Sequence, residues 1–96
     1  MKHCILIKYK SDTDAARKDS LKSEITALFE KLLCMDGIHG VEVISNVIDR
    51  PNRYDLLIRI TMEQEVLESY DGCDTHKTWK RDYARYLESK AIFDYD

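Results

Sequence analysis

Alternating apolar positions predict that both ends of the chain are β-strands. The opening run, residues 2–10, reads KHCILIKYK, and the closing run, residues 90–95, reads KAIFDY. Successive residues of a strand point to opposite faces of its sheet. One face of the first run carries His3, Ile5, Ile7 and Tyr9, and the other carries Cys4, Leu6 and Lys8. This strand is therefore apolar on both faces, which predicts that both faces of its sheet are covered.

Apolar residues at three- and four-residue steps predict a long helix after the first strand. The polar residues 11–14 can cap its N-terminus, and the helix is expected to continue to about Cys34. Its apolar stripe consists of Leu21, Ile25, Leu28, Phe29, Leu32 and Leu33. Such a stripe is typical of a helix that buries one side. Gly37 and Gly40 are expected to end the helix and turn the chain.

The middle of the chain predicts two more strands, residues 41–48 and 54–61, separated by a turn at the single proline, Pro51. On the latter strand Tyr54, Leu56, Ile58 and Ile60 share one face, and Asp55, Leu57, Arg59 and Thr61 share the other. The mixed second face favours a partly wet surface or an interface. Asp55 and Arg59, two positions apart on it, are expected to pair within a barrel or across a dimer.

Two segments before the closing strand again carry apolar residues at helical spacing. A short helix is predicted over residues 63–70, and a longer one from Asp74 or Thr75 to about Ser89. Asp71 and Gly72 interrupt them. The apolar stripe of the longer segment consists of Trp79, Tyr83, Tyr86 and Leu87.

The predicted order is β-α-β-β-α-β with a split second helix, which is the ferredoxin-like α+β pattern. Four antiparallel strands would carry helices on one face. Ninety-six residues supply one layer of helices at most, so a second copy of the chain is predicted to cover the other face as a homodimer. The whole chain, 1–96, is expected to be one domain.

Composition narrows the possible partners and compartments. The net charge of −3 disfavours nucleic acid, because phosphate recognition needs a basic patch. Three cysteines without paired spacing indicate neither a disulfide framework nor a zinc site. No apolar run approaches the ~20 residues of a membrane span, so a cytoplasmic protein is expected. No motif indicates a metal ion or an organic cofactor.

Four segments, in order, resemble the stress-responsive dimeric α/β-barrel (Dabb) family. They are KHCILIKYK, RYDLLIRITM, LESYDGCDTHKTW and KAIFDYD, and together they cover nearly the whole chain. The resemblance implies a homodimer in which two sheets close into a barrel. Most members of that family have no assigned activity, and one plant member is a polyketide cyclase that uses a tyrosine and a histidine.

The resemblance implies that Tyr70 and His76 are the catalytic pair and that His3 faces the same pocket. The sequence departs from the family pattern at three places. Leu56 replaces a pocket histidine, and Cys73 and Asp74 replace the first histidine and the proline of the loop. We expect the pocket between sheet and helices to be lined by His3, Ile5, Ile7, Leu56, Ile58 and Trp79.

The candidate pair suits carbonyl chemistry. His76 can act as a general base near neutral pH, and the Tyr70 hydroxyl can stabilise a developing enolate. Each residue also has a structural interpretation: His76 as part of a helix start, and Tyr70 and His3 as core residues.

The sequence leaves several functions open. The first hypothesis is a homodimeric barrel that binds a small hydrophobic or aromatic carbonyl compound. The alternatives are a lyase or cyclase acting through Tyr70 and His76, a cofactor-free monooxygenase, and a purely structural interaction module.

Overall fold

The computed structural model describes residues 1–96 as a four-stranded antiparallel sheet with helices on one face. The strands are β1 (Lys2–Tyr9), β2 (Ile38–Ser45), β3 (Leu56–Met62) and β4 (Leu87–Tyr95). The α-helices are α1 (Ala15–Glu30), α2 (Leu67–Asp71) and α3 (Asp74–Tyr83), and short 3₁₀ turns follow α1, precede α2 and follow α3. The strand order β2-β3-β1-β4 confirms the ferredoxin-like fold, with its second helix split at Gly72.

Helix α1 forms and docks as its sequence pattern predicts, except that Leu33, assigned to the buried stripe, is 50% exposed in the 3₁₀ turn that follows the helix. The Asp14 carboxylate caps its N-terminus by accepting a hydrogen bond of 2.7 Å from the backbone N–H of Arg17. The buried side of the helix and its 3₁₀ extension consists of Leu21, Ile25, Leu28, Phe29 and Leu32. These side chains pack on the sheet face that carries Ile5, Ile7, Ile58 and Ile60.

Several predicted element boundaries are wrong, because strand pairing overrides the local pattern. Residues 87–89, predicted to be helical, belong to β4, where Leu87 pairs with Tyr9 across an irregularity in register. Strand β2 begins at Ile38 and contains Gly40 at a second irregularity. It ends at Ser45, where its pairing with β3 stops, so residues 46–48, predicted to continue the strand, lie in the following loop. Only Gly37, with a φ of +86°, turns the chain.

The face of the sheet opposite the helices is open and partly apolar. Leu6 of β1 lies beside Leu57 of β3, and Leu57 lies beside Ile44 of β2. Phe93 of β4 lies on the same face and is 64% exposed. This is the face that the sequence predicts a second copy to cover.

The expected pairing of Asp55 with Arg59 is wrong within the protomer. Asp55 precedes β3 and turns toward β1 and α1, where it accepts hydrogen bonds from the Tyr9 N–H at 2.8 Å and Lys18 Nζ at 3.4 Å. Arg59 instead donates to the Glu42 carboxylate at 2.8 Å on the open face.

None of the helices combines the length and apolar character needed to cross a membrane.

Candidate functional site

Three aromatic rings from three elements lie in one continuous row. His3 of β1 packs edge-on against Tyr70 of α2, with ring centroids 5.3 Å apart. Tyr70 in turn lies 4.8 Å from the ring of His76 in α3. The structure therefore brings together the three polar residues that the sequence assigned to one pocket.

The tight connection between α2 and α3 sets the position of His76. Helix α2 is a single turn that stops at Gly72, and the Cys73 N–H donates to the Tyr70 carbonyl at 3.1 Å. Helix α3 begins at Asp74, so His76 lies only five residues after Asp71, the last residue of α2. The ring is held by a hydrogen bond of 2.9 Å between its Nδ1 and the Asp71 carbonyl.

That hydrogen bond defines the tautomer of neutral His76. A backbone carbonyl only accepts, so Nδ1 must carry the hydrogen and Nε2 is left with a free lone pair. The ring is only partly buried. His76 thus has the arrangement of a general base, with one nitrogen oriented by the backbone and the other available.

His3 is anchored by a residue that the sequence did not single out. Its side chain is 8% exposed, and its Nδ1 lies 2.5 Å from Oδ1 of Asp94, which is its pairing partner on β4. A carboxylate is an acceptor, so Nδ1 donates and Nε2 remains free. Only the β1–β4 register places Asp94 here, and the spacing in sequence contains no such signal.

The phenol between the two histidines is buried without a hydrogen bond. Tyr70 is 0% exposed, and its hydroxyl has no partner. Buried polar groups in native proteins nearly always have a hydrogen-bond partner, so a buried hydroxyl without one needs an explanation. Burial, and to a lesser degree the neighbouring Cys73 and Asp71, raise the pKa of Tyr70 above its usual range. The hydroxyl is therefore neutral and can donate a hydrogen bond.

The apolar residues predicted to line a pocket form closely packed core. Ile5, Ile7, Ile58 and Trp79 are at most 2% exposed, and Trp79 packs edge-on against Phe29 with ring centroids 5.2 Å apart. The cavities in the structure lie away from His3, Tyr70 and His76. Of the predicted lining residues only Leu56 borders cavities, one of about 400 Å³ and one of about 110 Å³, at the other end of the sheet. No three His, Cys, Asp or Glu side chains are grouped closely enough to hold a metal ion.

Comparisons with known proteins identify the fold. No model of a protein family and no curated protein matches the sequence. Among solved structures, a dimeric protein of unknown function with a ferredoxin-like fold from Bacteroides fragilis is 21% identical, with a TM-score of 0.80 over 99% of this chain and 93% of that one.

Two further solved structures carry family or activity names. A Dabb family protein with a ferredoxin-like fold from Mesorhizobium loti is 14% identical, with a TM-score of 0.73 over 99% of this chain and 93% of that one. A hydroxynitrile lyase from Passiflora edulis is 9% identical, with a TM-score of 0.73 over 98% and 89%. At these identities the likeness shows a shared fold.

Proposed function

We propose that this protein is a homodimeric α/β-barrel protein that binds a small hydrophobic or aromatic carbonyl compound at Tyr70. The observation that carries the proposal is the Tyr70 hydroxyl, which is fully buried, unpaired and flanked by the rings of His3 and His76. A ligand carbonyl is the acceptor that this neutral donor lacks. Tyr70 belongs to the same hydrophobic cluster as Ile5 and Trp79, so an opening at Tyr70 would offer apolar contacts to an aromatic or aliphatic ligand body.

Access to Tyr70 requires a local opening. No cavity borders its ring, so the ligand enters only when α2 moves away from the sheet. Helix α2 has five residues, is followed by Gly72 and buries one side chain, Tyr70, so its displacement withdraws that side chain and leaves the rest of the core cluster in place. Segments with few buried apolar side chains open at low free-energy cost.

The open sheet face supports the homodimer. Leu6, Ile44, Leu57 and Phe93 lie on it, and Ile44 and Phe93 are 41% and 64% exposed. The Bacteroides fragilis neighbour is described as dimeric. A specific dimer buries about 1,200–2,000 Å² in total, and packing two such faces together removes these apolar groups from water.

A second candidate function is catalysis on the same ligand class. His76 Nε2 would remove a proton from the carbon next to the carbonyl, and the Tyr70 hydroxyl would donate a hydrogen bond to the resulting enolate oxygen. The observation that favours this lyase or cyclase activity is the hydrogen bond from His76 Nδ1 to the Asp71 carbonyl, which leaves Nε2 free. The Passiflora edulis neighbour is named as a lyase.

A thermal-shift screen of aromatic and β-keto acids tests the binding site. A ligand present at about 100 times its dissociation constant adds roughly 2.7 kcal/mol to stability, which moves the midpoint by several degrees. We expect this shift to shrink in Tyr70→Phe and to persist in Tyr83→Phe, which removes a hydroxyl bonded to Glu24 at 3.3 Å. The proposal fails if no compound shifts the midpoint, or if both variants respond alike.

Turnover measurements separate an enzyme from a binder. If His76 is the base, the natural protein should convert any compound that binds, and the His76→Ala variant should not. The matched control is His39→Ala, which removes an exposed histidine that contacts Glu63 at 3.0 Å. Binding without conversion in the natural protein would refute the catalytic role and leave the binding function.

A further inference from the structure

The side chain of Cys73 lies at the junction of α2 and α3, next in the fold to the candidate carbonyl site. Cys73 is the residue that caps the N-terminus of α3, and its side chain makes no capping hydrogen bond. Its backbone N–H donates to the Tyr70 carbonyl at 3.1 Å, and its side chain is partly buried against the hydrophobic core. The thiol forms no disulfide, so the fold leaves a nucleophilic group unused beside Tyr70.

The imidazole of His76 is directed back over the same junction. His76 is the third residue of α3, and at a helix start the side chains of the capping residue and of the third helical residue are neighbours. Its Nδ1 donates to the carbonyl of Asp71 at 2.9 Å. Asp71 precedes Cys73 by two residues, so the ring reaches back past the capping residue toward the end of α2. The thiol therefore has a general base as its neighbour, with Nε2 as the available nitrogen.

The Tyr70 hydroxyl is the third group at this junction. It is fully buried and has no hydrogen-bond partner. After burial itself, the nearby Cys73 thiol and Asp71 carboxylate are what raise the pKa of Tyr70, so the phenol oxygen and the sulfur are neighbours. A nucleophile, a base and an unpaired hydrogen-bond donor thus converge at one point of the fold, which is the set of groups that addition to a carbonyl compound requires.

We propose that the Cys73 thiol adds covalently to small α,β-unsaturated carbonyl compounds. This addition rests on the proposed function and narrows its ligand class, because the ligand carbonyl accepts the hydrogen bond of Tyr70. The thiol proton passes to His76 Nε2, and the sulfur bonds to the β-carbon of the ligand. The π electrons move to the carbonyl oxygen, whose enolate accepts the hydrogen bond from Tyr70. His76 then returns the proton to the α-carbon, so the product is a saturated ketone or aldehyde bound to sulfur, and no other reactant is needed.

An unsaturated carbonyl compound matches the three groups better than a saturated one does. A saturated ketone occupies the donor of Tyr70 and offers an α-hydrogen to His76, but it leaves the thiol without a role. Cys73 is partly exposed, whereas Tyr70 is fully buried. The sulfur is therefore within reach of a ligand before α2 opens, and the opening of α2 then brings the carbonyl oxygen to the phenol.

Alkylation by benzylideneacetone, an aromatic enone, tests the proposal in the natural protein, with mass spectrometry of the intact chain and of its peptides as the measurement. Cys34, which is exposed in the 3₁₀ turn after α1, serves as the reference thiol within the same molecule. We expect Cys73 to react at least about tenfold faster than Cys34 although it is less exposed, since a base and a hydrogen-bond donor assist only Cys73. A rate at Cys73 equal to or below that at Cys34 would overturn the proposal.

Variants of the two assisting residues assign their roles. Tyr70→Phe and His76→Ala should each slow the enone reaction of Cys73 by at least about tenfold, whereas the matched controls Tyr83→Phe and His39→Ala should not. Iodoacetamide, which loses iodide and forms no enolate, should alkylate Cys73 in Tyr70→Phe as fast as in the natural protein. An equal slowing with both reagents would show that this substitution changes the exposure of the thiol and would count against the proposal. Unchanged enone rates in both Tyr70→Phe and His76→Ala would refute it.

Benzylacetone, the saturated counterpart of the enone, separates the covalent step from the binding site. Cys73→Ser should abolish the enone adduct and retain a Tyr70-dependent thermal shift with benzylacetone. That shift, combined with slow labelling of Cys73 in the natural protein, would refute the covalent step and leave the carbonyl site standing. Rapid labelling of Cys73 that persists in Tyr70→Phe, with no shift by benzylacetone, would refute both the carbonyl site and the proposed role of Tyr70 in the addition.

Discussion

At the scale of single residues, the most informative feature is a pair of buried phenols. Tyr9 and Tyr70 both bury a hydroxyl without a hydrogen bond, and Tyr70 lies at the candidate ligand site. Leaving such a group unsatisfied costs about 1–3 kcal/mol. Binding of a ligand acceptor at the Tyr70 hydroxyl would offset that cost.

The buried phenol of Tyr9 predicts a loss of stability in alkaline solution. Its pKa is about 12 in the folded protein against 10.0 for a free side chain, so the folded state keeps a proton that the unfolded chain releases. Its contribution is complete below about pH 10 and is lost as the pH rises toward 12. Two pH units correspond to about 2–3 kcal/mol.

Urea denaturation at about pH 9 and about pH 11 checks this prediction, since the window spans the ordinary tyrosine pKa. We expect Tyr9→Phe to lose less stability between the two pH values than the natural protein does. Tyr54→Phe, at a partly exposed tyrosine, is the control and should behave like the natural protein. Equal losses in all three proteins would count against the assignment.

At the scale of elements, short connections decide where the side chains of the site lie. Helix α2 and helix α3 are separated by Gly72 and Cys73 alone, and this brings Tyr70 and His76 within contact. The turn before β2 acts in a similar way. The Gly37 carbonyl accepts from the Glu63 N–H at 2.8 Å, which ties the start of β2 to the chain that leads into α2.

Gly37→Ala should destabilise the protein by about 1–3 kcal/mol. Its φ of +86° lies in the left-handed region, where a side chain costs about 1–2 kcal/mol, and an added Cβ would overlap Cγ2 of Val66. Gly72→Ala is the control, because its φ is −97° and a Cβ there would meet only ordinary contacts at 3.9 Å.

A double-mutant cycle with Val66→Ala, followed by urea denaturation, separates the two causes. The second substitution removes the overlapping methyl group, so the penalty of Gly37→Ala should be smaller in that background. Additive effects of the two changes would show that backbone strain alone is responsible. A Gly37→Ala protein as stable as the natural one would contradict the conformation of this turn.

At the scale of the whole molecule, the sheet has one face covered by helices and one open. The covered face holds the hydrophobic core and both buried phenols, whereas the open face presents Leu6, Leu57 and Phe93. The candidate ligand site at Tyr70 therefore lies on the helix side, and not on the face left for a second copy. Binding and dimerisation should be separable by mutation.

Leu6→Lys should weaken the proposed dimer more than it destabilises the protomer. Leu6 points to the open face, so a charge there would be buried at the interface of a dimer but solvated in a monomer. Sedimentation velocity at micromolar protein should show a dimer for the natural chain and a monomer for the variant. Leu33→Lys, at a residue that is 50% exposed near the end of α1, should stay dimeric. An unchanged mass for Leu6→Lys would show that the dimer does not use this face.

The sequence by itself determined the elements, their order and the buried face of each, because the periods of 2 and 3.6 residues are local properties of the chain. It failed at residues 87–89 and at Gly40, where pairing with a distant strand decides the conformation. His3, Tyr70 and His76 were named from a resemblance, and the contact of their rings is a result of the fold.

Only the tertiary structure decided the details on which chemistry depends. Asp94 reaches His3 through the β1–β4 register, Asp55 turns away from Arg59, and the hydroxyls of Tyr9 and Tyr70 are left unpaired. The cavity beside Lys22 is likewise formed by α1 and a loop that is distant in sequence. Hydrogen-bond satisfaction and empty volume depend on every atom that surrounds a group, and most of those atoms belong to residues far away along the chain.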